Sequence, residues 1–276
     1  MRLPTSLAAL AASTTAVFLG LAGTSAQAGA DSGCGAGTYG NTGYAYAGHA
    51  SDRKAHGVRA TIQALATPTV AAGHVAGWVG VGGPGAGPKG EDVWLQVGLA
   101  AWPGSQTILY VEFARPGITP VLRPIETGVP VDDRRRVAVL EMNGRPGWWR
   151  AYVGGKPVIE PIHLPGSSGR WQPIATGESW NGDVGACNRF SFRFEDVKVA
   201  GSPGGSWRPF LPGYKFQDKG FAVLPLSPLP GRSRSPRALS AVKIEPYAFV
   251  ARSLAAPPVQ APAPVPQPEA APLASS

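Results

Sequence analysis

The residues of this sequence that are best suited to chemistry are one amide and two carboxylates that occur among aromatic side chains: Gln96, Glu112 and Glu178. Burial raises the pKa of a carboxyl group, so that it can exchange protons as a general acid or base. A fixed amide can stabilise an oxyanion that develops in a transition state. These residue types therefore suit hydrolysis or ligand binding, if the fold brings them together.

Three successive segments, residues 74–82, 93–101 and 107–114, alternate apolar residues with polar or small ones between glycine, proline and serine breaks. This period of two predicts three β-strands whose side chains sort onto two faces. The apolar set predicted to face a core is Val75, Val79, Val81, Val93, Leu95, Val97, Leu99, Leu109, Val111 and Phe113. The other face carries Trp78, Trp94, Gln96, Tyr110 and Glu112. We expect Gly80 and Gly98 to leave open space beside them; the alternative is an outward face whose polar residues are merely solvated.

The rest of the chain predicts an all-β fold, because no segment after the first 28 residues sustains a 3.6-residue apolar period. Further strand-like segments are residues 43–47, 58–65, 121–125, 136–142, 148–153, 157–164, 171–179 and 190–200. In the last of these the apolar residues change phase, which predicts a β-bulge near Glu195 and Asp196. The number and spacing of the strands are typical of a two-sheet antiparallel β-sandwich.

The composition divides the chain into five parts. Residues 1–28 combine Arg2, an apolar run and Ala26-Gln27-Ala28, which predicts a secretory signal peptide. An irregular arm at 29–42 precedes the sandwich domain at 43–201. Residues 202–254 form a basic segment rich in proline and glycine, with short extended pieces at 210–214 and 221–226, and 255–276 is a Pro/Ala-rich tail that we expect to be disordered. No later run is long enough to span a bilayer, so we expect a secreted, extracellular protein without a membrane span.

The chain has two cysteines, Cys34 and Cys187. In an oxidising compartment they can form one long-range disulfide. A reactive thiol is the alternative, but neither cysteine has an obvious histidine partner in the sequence.

The formal net charge of +8 is unevenly distributed. Residues 202–276 hold eight lysines and arginines against three acids, and Arg2 adds one more charge, which leaves residues 3–201 nearly neutral. We expect a basic tail of this kind to meet an anionic cell-surface polymer rather than nucleic acid.

His49, Asp52 and His56 lie in one polar segment and could in principle bind a metal. We interpret the segment as a solvated loop, because no other His/Cys/Asp cluster converges on it in the sequence. No metal or cofactor is expected.

The segments GWVGVGG, VWLQVGL and LYVEFARPG resemble strand sequences of the glutamic peptidases called eqolisins. The resemblance implies a secreted, concanavalin-like (jelly-roll type) sandwich that cleaves polypeptides. It implies that Gln96 is the catalytic glutamine, with Glu112 beside it, and that Glu178 in IATGESW is the catalytic glutamate. Glu178 would be the general base and then the general acid, and the amide of Gln96 would stabilise the oxyanion. Trp78, Trp94, Tyr110 and Trp180 would line the cleft.

Other functions stay open at this point. The words GHVAGWVGVGG, LQVGL and ESWNG are also similar to a family of secreted actinobacterial-type proteins of unassigned function, so the fold could serve a non-catalytic domain that binds an extracellular glycan or peptide. A glycosidase could use Glu112 and Glu178 as its two carboxylates. A Ser-His-Asp triad could use His74 or His163, although no nucleophile-elbow spacing occurs.

Overall fold

A computed structural model describes residues 43–182, 187–226 and 247–254. The regular structure in these ranges consists of β-strands, which confirms the all-β prediction, and no helix there could cross a membrane. In chain order the strands are β1 (Tyr44–Ser51), β2 (Gly57–Ala64), β3 (His74–Gly83), β4 (Val93–Ala101), β5 (Ile108–Arg115), β6 (Ile118–Thr127), β7 (Arg134–Glu141), β8 (Trp148–Val153), β9 (Lys156–Pro157), β10 (Ile162–His163), β11 (Ile174–Trp180), β12 (Ser191–Ala200), β13 (Trp207–Pro209), β14 (Pro212–Gln217), β15 (Phe221–Pro225) and β16 (Tyr247–Ser253).

The strands form two antiparallel sheets that pack as a sandwich, as predicted. The first sheet has the order β14-β1-β11-β3-β4-β5-β6. The second has the order β10-β8-β7-β2-β12-β16-β15, with β9 paired to β8 and β13 paired to β12. The three strands singled out in the sequence, β3, β4 and β5, are neighbours in the first sheet, so their shared faces are continuous surfaces.

The core lies between the sheets, where the odd-numbered side chains of β3, β4 and β5 meet the aromatic residues of the second sheet. All ten apolar residues predicted to face inward belong to this core and are at most 5% exposed. Across from them, the rings of Phe194 and Phe249 stack with centroids 4.6 Å apart. Each such side chain contributes about 1.5–3 kcal/mol when it is fully buried, so the core fixes which face of the first sheet is turned outward.

The predicted irregularity in β12 is present. The pairing of β12 with β2 shifts between Glu195 and Lys198, and Asp196 has a positive φ of 49°. An extra residue in one strand is the definition of a β-bulge. It allows Phe194 and Val197 to face the same core although they differ in parity.

The sandwich extends past Gly201. Strands β13 to β16 join both sheets, and Phe210, Phe221, Tyr247 and Phe249 are core residues. The high proline and glycine content of this part of the sequence conceals these aromatic anchors, because they are widely spaced.

The expectation of a solvated loop holding His49 is wrong, because β1 continues to Ser51. His49 is 6% exposed and packs edge-on against the rings of Tyr247 and Phe249. In the described ranges no group of His, Cys, Asp and Glu residues could hold a metal ion.

Several predictions fall outside the described residues: the signal peptide at 1–28, the arm at 29–42 with Cys34, and the tail at 255–276. No described cysteine is free. Because Cys34 lies outside the described residues, its pairing with Cys187 stays a prediction.

Candidate functional site

The outer face of the first sheet carries the side chains singled out in the sequence, because even-numbered residues of β1, β3, β4, β5 and β11 all point there. Gln96 lies directly opposite Glu112 across β4 and β5, and opposite Gly80 across β3 and β4. Glu178 lies on β11, the neighbour of β3 on its other side, opposite Ala76. The fold thus places Gln96, Glu112 and Glu178 on one face of one sheet.

Glu178 is buried and both of its carboxylate oxygens are held. His74 Nε2 lies 2.9 Å from Oε1, and Trp78 Nε1 donates a hydrogen bond of 2.9 Å to Oε2. Both partners come from β3, where they are four residues apart and point to the same face. Because neither oxygen can swing away without losing a bond, the carboxylate has one fixed orientation.

Gln96 forms a second polar cluster with Tyr110 and Glu112. Its Nε2 donates to the Tyr110 hydroxyl at 3.1 Å and to Glu112 Oε2 at 3.0 Å. Gln96 is 8% exposed and Tyr110 is 1% exposed, so these bonds form away from bulk water. In this arrangement both N–H groups of the amide are engaged and its oxygen is the remaining polar end.

Glu112 is the group whose protonation is most strongly perturbed toward neutral pH. Burial, reinforced by the nearby negative charge of Glu178, raises the pKa of Glu112 to about 7, although His74 and the bond from Gln96 act against this. Burial likewise raises the pKa of Tyr110 and of Tyr46 well above the usual value, with Glu178 as the next cause for both. The two phenols therefore stay protonated, and of these three groups Glu112 is the one that changes charge near neutral pH.

The two polar clusters open into one cleft of about 630 Å³. It is lined by Tyr44, Tyr46, His74, Trp78, Val81, Gly82, Gly83, Pro84, Trp94, Gln96, Glu112, Ile174, Thr176, Glu178 and Phe216. The volume lies within the range of about 300–1,000 Å³ that is typical of ligand sites. Apolar and aromatic walls with a few converging polar groups are the usual composition of such a site.

Of the four aromatic residues predicted to line the cleft, two do so and two, Tyr110 and Trp180, do not. Trp78 and Trp94 line the cleft. Tyr110 lies beneath it and reaches the cleft only through Gln96. Trp180 stands at one end of the sheet face, where its ring lies 5.6 Å from that of His74 and 6.0 Å from that of Tyr44.

The cleft residues that sequence reasoning did not assign to the site include Tyr44, Tyr46, His74 and Phe216. His74 has the same parity as Trp78 in β3, so the alternation that selected Trp78 could also have selected it. Tyr44 and Tyr46 show the same alternation in β1, and their rings stack 6.2 Å apart. Phe216 had no such signal, because nothing in the sequence shows that β14 pairs with β1.

Gly80 and Gly98 have a different role from the one expected. A Cβ atom at Gly98 would lie 2.6 Å from the Cα of Trp78, and one at Gly80 would lie 2.9 Å from the Cβ of Gln96. The two glycines therefore leave no open space. Gly98 allows β4 to approach Trp78 on β3 closely, and Gly80 allows β3 to approach Gln96 on β4.

The other histidines have different partners. His56 Nδ1 lies 2.6 Å from Glu141 Oε2, and Glu141 also accepts the backbone N–H of Gly147. The ring of His163 lies 5.3 Å from that of Trp148. In the described residues no Ser-His-Asp arrangement accompanies His74 or His163, because the carboxylate that His74 contacts is Glu178 and His163 forms no ion pair.

No known protein family and no curated protein matches the chain. Solved structures of similar fold include the Scytalido-glutamic peptidase with a peptide-based transition-state analogue, at 13% identity over 76% of this chain and 97% of that one, with a TM-score of 0.44. SCP-B, a member of the eqolisin family, in complex with the tripeptide Ala-Ile-His, is 14% identical over the same shares, with a TM-score of 0.41. A native glycosidic hydrolase is 13% identical over 54% of this chain and 66% of that one, with a TM-score of 0.32. These similarities are of low identity and say nothing about the activity of this chain.

Proposed function

We propose that the protein is an acid endopeptidase in which Glu178 is the general base and acid and Gln96 supplies the amide for the oxyanion. One observation carries the proposal: an anchored, buried carboxylate and a buried amide face the same aromatic cleft. The segment VWLQVGL, which resembles the glutamine strand of glutamic peptidases, supports Gln96.

Glu178 is suited to move a proton to and from a water molecule. A carboxylate has about four lone-pair sites, and His74 and Trp78 use two of them. A water bound at a remaining site would give a proton to Glu178 as its oxygen attacks the peptide carbonyl carbon. When the C–N bond breaks, the same proton passes to the leaving amine, which returns Glu178 to its starting charge.

Gln96 must present an N–H group to the cleft for this role, and the protonation of Glu112 provides a way to do so. When Glu112 is ionised it can only accept, so it holds Nε2 of the amide. When Glu112 is protonated, it and the Tyr110 hydroxyl can both donate to the amide oxygen. The two ends of an amide have nearly the same shape, so the side chain can reverse and direct its N–H groups toward the substrate.

This step makes the activity acid-dependent. The groups that face Glu112 are Gln96 on β4, Tyr110 on β5, His74 on β3, Glu178 on β11 and Tyr46 on β1. The two tyrosines stay neutral, and the carboxylate of Glu178 favours the protonated form of Glu112. Because the pKa of Glu112 is about 7, its protonated form predominates at acid pH.

A second candidate function is a non-catalytic domain that binds an extracellular peptide or glycan. The observation that favours it is the engagement of both amide N–H groups of Gln96, which is a satisfied arrangement that needs no chemistry. In this case the aromatic walls would provide affinity and the carboxylates would orient the ligand.

Digestion of denatured casein by the purified protein, from about pH 2 to about pH 7, tests the proposal. We expect cleavage that is stronger at acid than at neutral pH and that falls by about 10²–10⁴-fold in Glu178→Gln and by about 10²–10³-fold in Gln96→Ala. The matched controls are Glu160→Gln and Gln106→Ala, which change exposed residues and should leave the rate unaltered. Undiminished cleavage in Glu178→Gln would refute the mechanism, and saturable peptide binding without cleavage would favour the second candidate.

A further inference from the structure

The outer face of the second sheet, on the opposite side of the sandwich from the cleft, is rich in cations. Seven basic residues of β2, β7, β8, β12 and β16 have side chains that point outward on this face: Arg59, Arg134, Arg136, Arg150, Arg193, Lys198 and Arg252. The acids at the outward positions of these strands are Glu195 and Asp196, at the bulge of β12. The sandwich is therefore basic on one face, although its overall charge is small.

A groove of about 220 Å³ lies among these arginines. Ala138 forms its floor, since it lies in one row across the sheet between Arg59 on β2 and Tyr152 on β8. The small alanine side chain between two long ones creates the depression. Trp207 stands beside Arg59, whose guanidinium carbon lies 4.9 Å from the ring centroid, and Arg136 completes the lining.

The positive charge of this face exceeds what its acids neutralise. Arg59 and Lys198 share one carboxylate, that of Asp196, at 3.1 Å and 2.7 Å. Arg136 and Arg150 form no ion pair within the described ranges, and Nε of Arg59 and of Arg150 is buried there without a hydrogen-bond partner. The guanidinium of Arg136 is exposed and has no acidic partner there, so it is available to an anionic acceptor.

We propose that this groove binds one sugar unit of an acidic polysaccharide, with the guanidinium of Arg136 on the anionic group and the rings of Trp207 and Tyr152 against the sugar. A guanidinium matches a carboxylate or sulfate through two parallel N–H bonds. Flat aromatic rings offer apolar surface to the C–H faces of a sugar. The groove is smaller than the about 300–1,000 Å³ that encloses a whole ligand, which fits one unit of a longer chain.

The acids of β12 argue against a nucleic acid as the occupant. A protein that binds a nucleic acid usually neutralises several successive phosphates. Glu195 and Asp196 interrupt the cations between Arg193 and Lys198, whereas a single anionic sugar needs only the local pair of arginines. The site lies on a different sheet from the cleft, so it does not depend on the peptidase proposal.

Binding of immobilised polygalacturonate and of dextran sulfate by the intact protein tests the inference, with neutral dextran and single-stranded DNA as comparisons. We expect one or both acidic glycans to bind, with about tenfold weaker affinity in Arg136→Gln and in Trp207→Ala. The matched control is Arg115→Gln, which removes the same charge from the exposed end of β5 in the first sheet and should change the affinity less than twofold.

Three outcomes would overturn the inference. Equal weakening by Arg136→Gln and Arg115→Gln would show that net charge alone drives the binding. DNA binding that depends on Arg136 and exceeds binding of both glycans would assign the face to nucleic acid. Absence of binding to either acidic glycan at low salt would leave the groove without this function, and thermal melting of each variant would show that it is folded.

Discussion

Glu112→Gln is the substitution that separates the electrostatics of the cleft from its packing. Glutamine has nearly the same shape as protonated glutamate, and its side-chain oxygen can still accept the hydrogen bond from Gln96. The variant removes the ionisable group and keeps the contact. Any difference in pH dependence between the two proteins therefore reports the charge of Glu112.

The sign and size of the effect follow from the raised pKa. Because Glu112 has a pKa of about 7 in the folded protein and an ordinary value of 4.5, the folded state favours the protonated form. Below about pH 4.5 the group is protonated in both states and costs nothing. Between the two pKa values the unfolded state ionises first, so wild-type stability falls as pH rises, by up to about 3 kcal/mol above pH 7.

Urea unfolding between about pH 4 and about pH 9 measures this difference. We expect Glu112→Gln to match the wild type at the acid end and to be more stable by up to about 3 kcal/mol at the alkaline end, or roughly 5–10 °C in Tm. Glu160→Gln, at an exposed position, is the control and should show the wild-type profile. Parallel profiles for the wild type and Glu112→Gln would refute the claim that burial and Glu178 raise this pKa.

Three further substitutions test other parts of the structure. Burial lowers the pKa of His49 to about 4, so the wild type should lose up to about 3 kcal/mol as pH falls from 6.5 toward 4, and His49→Leu should flatten this acid slope in urea unfolding; an unchanged slope would contradict it. Gly98→Ala places a methyl group against the Trp78 backbone, and we expect about 3 kcal/mol of destabilisation; a variant with wild-type Tm would show that β3 and β4 are less tightly apposed. Trp78→Phe leaves Glu178 Oε2 without its donor, which should lower the casein cleavage rate about tenfold; an equal rate in both proteins would show that the bond does not position Glu178.

Much of the cleft could be predicted because side-chain direction in a strand has a period of two. Once Val93, Leu95 and Val97 are assigned to the core, Trp94 and Gln96 must face the other way, and the structure agrees. The same rule says nothing about depth. Tyr110 shares the face but is buried beneath it, because the close approach of neighbouring strands determines which side chains reach the surface.

The contacts of Glu178 could not be predicted for a topological reason. β11 follows β10 in the chain but lies between β1 and β3 in the first sheet. Strand pairing across such distances in sequence leaves no local signal, so nothing in IATGESW indicates that His74 and Trp78 will hold its glutamate. Parity places Glu178 on a face, and only the strand order supplies its partners.

The distribution of charge over the two faces of the sandwich could not be predicted either, because it also depends on strand order. A count along the chain assigns the basic character to residues 202–276 and leaves residues 3–201 nearly neutral. The sandwich nevertheless sorts its charges by strand parity, so that Arg59, Arg136 and Arg150 share the outer face of the second sheet. Net charge therefore underestimates the field on that face, which extends about 8 Å into solution at physiological ionic strength.

Because β11 lies inside the first sheet, the proposed active site forms only when β11 has paired with both β1 and β3. Residues 74–114 contribute Trp78, Gln96 and Glu112, but the carboxylate of Glu178 arrives from a strand about sixty residues beyond them in the chain. On the other side of β11, β1 brings Tyr44 and Tyr46 to the same cleft, and Asp218 accepts the backbone N–H of Tyr46 at 2.7 Å. The edge formed by β1 and β14 is therefore part of the site, since Tyr44, Tyr46 and Phe216 line the cleft together with Glu178.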